Sequence, residues 1–102
     1  MGVPQFTTPD FTLTFSEQGL DLTQADQVYV TFTSGMNEVT KSGSDLIIGE
    51  KTIGVFLDQA ETGRFKPGTI RIQANWIAGG KRIASDVVSY VITEQLLRRV
   101  IE

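Results

Sequence analysis

The sequence predicts an all-β domain built as a sandwich or barrel, and three observations carry that expectation. Apolar and polar residues alternate in runs such as Ile53/Val55/Leu57 and Ile70/Ile72/Ala74/Trp76, which puts every second side chain on one buried face. Turn-forming residues recur about every 8 to 12 positions, the spacing of short strands in a sandwich or barrel. The chain has 102 residues, 40% of them hydrophobic and 21% charged, which suits one two-layer core and is too short for two. With no internal repeat, low-complexity tract or linker, residues 1–102 are read as a single domain.

The elements follow in order. Met1 to Pro9 reads as a loosely held entry, because Pro4 and Pro9 bring no amide N–H to a ladder. Phe11/Leu13/Phe15, alternating with Thr12 and Thr14, forms a half-buried strand that ends in a turn over Ser16 to Gly19. Leu20 and Leu22 lead into Thr23-Gln24-Ala25-Asp26-Gln27, a single helical turn capped by Thr23. Val28/Val30/Phe32 is the next clear strand, with Tyr29 and Thr31 on its other face. Ser34 to Asn37 turns the chain into a short edge strand from Glu38 to Lys41. Ser42 to Asp45 then reverses it into Leu46-Ile47-Ile48, and Gly49 to Lys51 into the Ile53 strand.

The polar corner Asp58-Gln59-Ala60-Glu61-Thr62-Gly63-Arg64-Phe65-Lys66-Pro67-Gly68 joins the Ile53 and Ile70 strands. After Trp76, Ala78-Gly79-Gly80-Lys81 is a hairpin turn, since glycine accepts the positive φ of a tight reversal. Lys81 to Asp86 and Val87 to Thr93 complete the sheet, with a bend between Ser85 and Val88, for about seven or eight strands in all. Leu96/Leu97/Val100/Ile101 has helical spacing with Thr93 as its cap, so a short C-terminal helix is expected, and one so short must pack on something.

Composition removes several kinds of chemistry. The chain has no cysteine and no histidine. Disulfides and thiolate nucleophiles are therefore excluded, and the commonest metal ligands and neutral-pH acid/base groups are gone. No cofactor or metal is expected. A formal charge of −3 opposes loose binding to nucleic acid, whose affinity comes from clustered Lys and Arg. The apolar runs fall far short of the roughly 20 residues that span a bilayer, and the first residues show no basic segment followed by an apolar core. Neither a membrane anchor nor a secretory signal is expected, and Phe6 breaks the pattern that would make Gly2 a myristoylation site.

Each candidate site has a plain alternative. Asp58, Gln59, Glu61 and Thr62 form the densest polar group and could hold a cation or move a proton. The simpler reading is a capped helical turn crossing between sheets, with Asp58 accepting backbone N–H bonds. Asp21 with Asp26 and Asp45 with Glu50 lack the ordered spacing of a calcium loop and read as turn residues. Trp76 could stack on a sugar ring, but it continues the face of Ile70 and Ile72 and so belongs to the core. Tyr29, Phe56 and Tyr90 lie opposite the apolar series of their strands, which makes them, with Leu97, Val100 and Ile101, the candidate interaction surface. Gln73 points outward toward solvent or a cross-strand hydrogen bond.

A set of segments in fixed order adds a family likeness. Val28-Tyr29-Val30-Thr31-Phe32 is followed by Ile53 to Thr62, by Phe65-Lys66-Pro67-Gly68, by Ile70-Arg71-Ile72-Gln73-Ala74-Asn75-Trp76 and by Gly80 to Ser85. From Leu22 to Leu96 the chain resembles small Ig-like β-sandwich proteins encoded by phages and prophages of Gram-positive bacteria. It is also similar to the N-terminal domain of phage baseplate upper proteins. The shared pattern is a strand ending Leu-x-Gln-x-Glu-Thr, then Phe-x-x-Gly, then a strand with a central Gln and a terminal Trp.

The resemblance implies an Ig-like antiparallel β-sandwich, to which the helical spacing of Leu96/Leu97/Val100/Ile101 adds the short C-terminal helix. It implies a non-enzymatic role in the virion, in tail or baseplate assembly, through contacts with other virion proteins or copies of itself. The competing expectation is a free-standing ligand-binding module, such as a carbohydrate-binding β-sandwich. The placement of Trp76 discriminates between them, because a buried indole offers no sugar platform.

Overall fold

The computed structural model describes residues 2–16 and 19–94. Within them the alternating runs become nine strands: β1 (Gly2–Pro4), β2 (Asp10–Thr14), β3 (Gln27–Ser34), β4 (Asn37–Ser42), β5 (Leu46–Ile48), β6 (Thr52–Phe56), β7 (Gly68–Ala78), β8 (Lys81–Ala84) and β9 (Val88–Thr93). One helix, α1 (Gln59–Arg64), connects β6 to β7. The first sheet runs β1-β9-β7-β3-β4, with β8 also pairing β7, and the second runs β2-β6-β5. The fold is thus an all-β, sandwich-like pair of sheets, and α1 carries the chain from the second sheet to the first.

The core lies between the sheets and draws on both. Val30, Phe32, Ile70, Ile72, Ala74 and Trp76 come from the first, Phe11, Leu13, Leu46, Ile53 and Val55 from the second, and all are buried. Leu57 and Phe65, at either end of the α1 crossover, are buried among them. β7 organises the first sheet because its 11 residues alternate along their length, so one face can stay in the core while β3 pairs on one side and β8 and β9 on the other. Trp76 is among the buried residues, and the ring of Phe15 meets it edge-on at 5.5 Å. The turn after β7 needs both its glycines, at φ 59° for Gly79 and 77° for Gly80, the backbone of a two-residue hairpin whose twist matches the strands.

The predicted bend after β8 is a β-bulge. Asn75 faces Ala84 and Ile72 faces Val88, so two residues of β7, Gln73 and Ala74, oppose three, Ser85 to Val87. Ser85 repairs the ladder there. Its N–H donates to the Ala74 carbonyl at 2.8 Å, and its Oγ accepts from the Ala74 N–H at 2.9 Å. Gln73 Nε2 adds a bond to the Ser85 carbonyl at 2.9 Å, the cross-strand use its outward position suggested.

Four expectations are corrected. Residues 2–4 are not a loose entry: β1 pairs in parallel with β9, Val3 is buried, and Gln5 donates its N–H to the Thr93 carbonyl at 3.0 Å. Pro4 is tolerated because β1 is an edge strand, with an unused side for the missing N–H. The sandwich is therefore not wholly antiparallel, and β1 brings the described strands to nine where seven or eight were expected. The helical turn at Leu22–Gln24 is capped by Asp21 rather than Thr23, the Asp21 carboxylate accepting both the N–H and the hydroxyl of Thr23. A carboxylate one residue before the turn reaches the free N–H groups, whereas Thr23 is already inside it. The expected C-terminal helix lies outside the described residues.

Candidate functional site

The polar corner is built for the fold. Asp58 and Glu61 form a complete capping box: the Glu61 N–H donates to Asp58 Oδ1 at 2.8 Å, and the Asp58 N–H donates to Glu61 Oε1 at 2.9 Å. Thr62 is fully buried, and its hydroxyl donates to the Thr7 carbonyl at 2.8 Å, tying α1 to the segment before β2. Gln5, also buried, donates Nε2 to the Phe65 carbonyl at 2.8 Å and ties the other end of the crossover. Gly63 lets the Phe6 ring lie against the helix, since a Cβ there would stand 2.3 Å from a ring carbon. The predicted capped turn with Asp58 as acceptor is what the structure contains.

Losing the cap has a modest expected cost. Asp58→Ala should lower stability by about 1 kcal/mol, the usual cost of an N-cap side chain. Urea denaturation checks this, and an unchanged midpoint would mean that the box adds nothing.

Glu61 also reaches across the sandwich. Lys41 sits on the core face of β4, opposite buried Val30, and its Nζ pairs with Glu61 Oε1 at 2.7 Å. The same ammonium lies 5.5 Å from the centre of the Phe56 ring, a cation–π contact. Lys41 thus links the edge of one sheet to the end of the other. An inward-pointing charge of this kind also makes the β4 edge a poor template for a further strand.

The exposed residues named from the sequence fall in different places. Tyr29 is 37% exposed on the outer face of the first sheet, beside Asn75 of β7, and its hydroxyl donates to Gln27 Oε1 at 3.0 Å. Phe56 is 50% exposed at the end of β6, beneath Lys41. Tyr90 is a correction. It pairs with buried Ile70, so it shares the core face, and its half-buried ring meets Phe11 edge-on at 5.2 Å. Valines at 87, 88 and 91 occupy both faces of this segment, and the bulge before it resets the alternation, so the sequence pattern pointed the wrong way. Leu97, Val100 and Ile101 lie outside the described residues.

One feature escaped the sequence reading altogether. The two sheets part along the side where β2 faces the β8–β9 corner, leaving a groove of about 410 Å³. Leu13, Phe15, Val88 and Tyr90 give it an apolar lining, and Thr12, Thr14, Ser85 and Asp86 a polar one. Val88 is on the core face opposite Ile72 and is still 39% exposed, because no strand of the second sheet covers it. No local pattern reveals such a gap, which depends on which sheet the first strand joins. Among the described residues no three Asp or Glu side chains gather as metal ligands would, and no helix is long and apolar enough to cross a membrane.

No protein-family model matches the chain. No curated protein matches it either. Among solved structures it is similar to a crystal structure described as "a putative glycoside hydrolase from Bacteroides vulgatus ATCC 8482", with 16% sequence identity and a TM-score of 0.54 over 92% of this chain. The chain spans 16% of that protein's length, and the likeness is one of fold.

Proposed function

We propose that this domain is a non-enzymatic structural protein of a phage or prophage virion, a tail- or baseplate-type assembly module working through protein–protein contacts. One observation carries the reading. In the segment that resembles the small phage proteins, the polar side chains of Asp58, Glu61 and Thr62 are spent on capping and tying the crossover. Sheet surface, strand edges and the groove beside β2 are left to outside molecules. Recognition is then a matter of shape: rigid sheets present side chains and edges to other virion proteins or further copies of the chain. Its place is the virion, after synthesis in the cytoplasm of the bacterial host.

The strand plan supports an Ig-like reading of the sandwich. Taking β2, β6 and β5 as strands B, E and D, and β3, β4, β7 and β9 as C, C′, F and G, gives the two sheets of an Ig sandwich with a variable-type extra strand. The first strand departs from that plan by joining β9 instead of β2. Burial of Trp76 counts against the carbohydrate-binding alternative, since it removes the largest stacking surface in the chain.

Deleting the coding sequence from its prophage is expected to give induced particles that are incomplete by electron microscopy, restored when the gene is supplied in trans. Complete, infectious particles from the deletion strain would overturn the proposal.

A further inference from the structure

We infer that the groove between β2 and the β8–β9 corner is a strand-acceptor site, which binds an extended segment of another protein with apolar side chains at alternate positions and a Lys or Arg beside them. The inference deepens the assembly reading and rests on it.

The backbone supplies the first part of the case. Phe15 donates its N–H to the Lys51 carbonyl at 2.8 Å, and the Pro9 carbonyl accepts from Leu57 at 3.2 Å. Backbone groups alternate sides along an antiparallel strand, so the odd positions of β2 face β6 and those of Thr12 and Thr14 face away. Among the described residues β2 pairs with β6 alone. An unpaired ladder is a template for an added strand, and only extended peptide backbone satisfies it.

Side chains supply the second part. A strand laid on β2 would place every second side chain over Phe15, Tyr90 and Val88, the apolar surface that the parted sheets leave open. Charge supplies the third. Among the described residues that line the groove, exposed Asp86 is the one charged side chain, and Asp10 opens β2 outside that lining. An acidic site with an apolar floor selects a basic, apolar-alternating strand. The other long edge, β4, is the poorer template because Lys41 points inward from it.

The test is selection of a displayed random nonapeptide library on the full chain, with the Thr12→Pro and Val88→Lys variants as controls. Proline at position 12 removes only the outward N–H, so the β2–β6 ladder and the melting temperature should be kept. Lysine at position 88 fills the groove and repels a basic strand. The expected result is enrichment of peptides with apolar residues at every second position and at least one Lys or Arg, bound at least tenfold more weakly by either variant. No enrichment, equal binding to the Thr12→Pro variant, or a homodimer cross-linked through β2 that excludes every peptide would each overturn the inference. The two readings fail separately. A Thr12→Pro chain present in particles at the wild-type level removes the strand site alone, whereas a wild-type chain absent from particles removes the assembly role.

Discussion

Trp76→Ala is expected to lower stability by about 3 to 5 kcal/mol, the cost of truncating a large aromatic side chain in a packed core. Trp76 is 2% exposed, lies between Val28 of β3 and Ile83 of β8 in register, and takes the Phe15 ring against its face or edge at 5.5 Å. Neighbours on β3, on β8 and just after β2 cannot all collapse into the space it leaves. A domain of this size has a total stability of about 5 to 15 kcal/mol, so the variant should be partly unfolded under mild heating. Urea denaturation gives the loss directly, and iodide should quench the native indole only weakly. A loss below about 1 kcal/mol, far under the core range, or full quenching by iodide would contradict the burial on which the two-sheet core depends.

Ser85→Ala should cost about 1 to 3 kcal/mol, more than an average surface substitution, because it leaves the N–H of fully buried Ala74 without its acceptor. At the bulge no β8 or β9 carbonyl replaces the Ser85 hydroxyl, so the penalty is that of an unsatisfied donor. Ser85→Thr keeps the hydroxyl and should recover most of the loss. Hydrogen exchange at the Ala74 amide should quicken in the alanine variant. An unchanged exchange rate there would show that the backbone closes the bulge without help.

The sequence made visible whatever depends on local alternation and capping. β2, β3, β6 and β7 each keep one apolar face for several residues, and Asp58 stands just before the helix it caps with Glu61 three positions on. It concealed what depends on distant pairing. β1 has a single inward valine and a proline, and it becomes a strand only because β9 lies beside it. Tyr90 was misplaced because one extra residue at Ser85 to Val87 resets the alternation, and a one-residue slip moves every later side chain to the other face. Phe56 was found, but its cover was not, since Lys41 reaches it from another sheet. The groove has the same origin: Phe15, from a strand read as half-buried, and Val88 stay partly open because, among the described residues, no strand pairs with the edge of β2 away from β6.

The proposed place of the chain in an assembled particle can be read by quantitative mass spectrometry of purified, nuclease-treated particles. The chain is expected in a fixed ratio to the tail proteins, unchanged through a second density-gradient purification and cross-linked to at least one of them. A chain recovered only in the soluble fraction, with none in particles that contain every other tail protein, would contradict it.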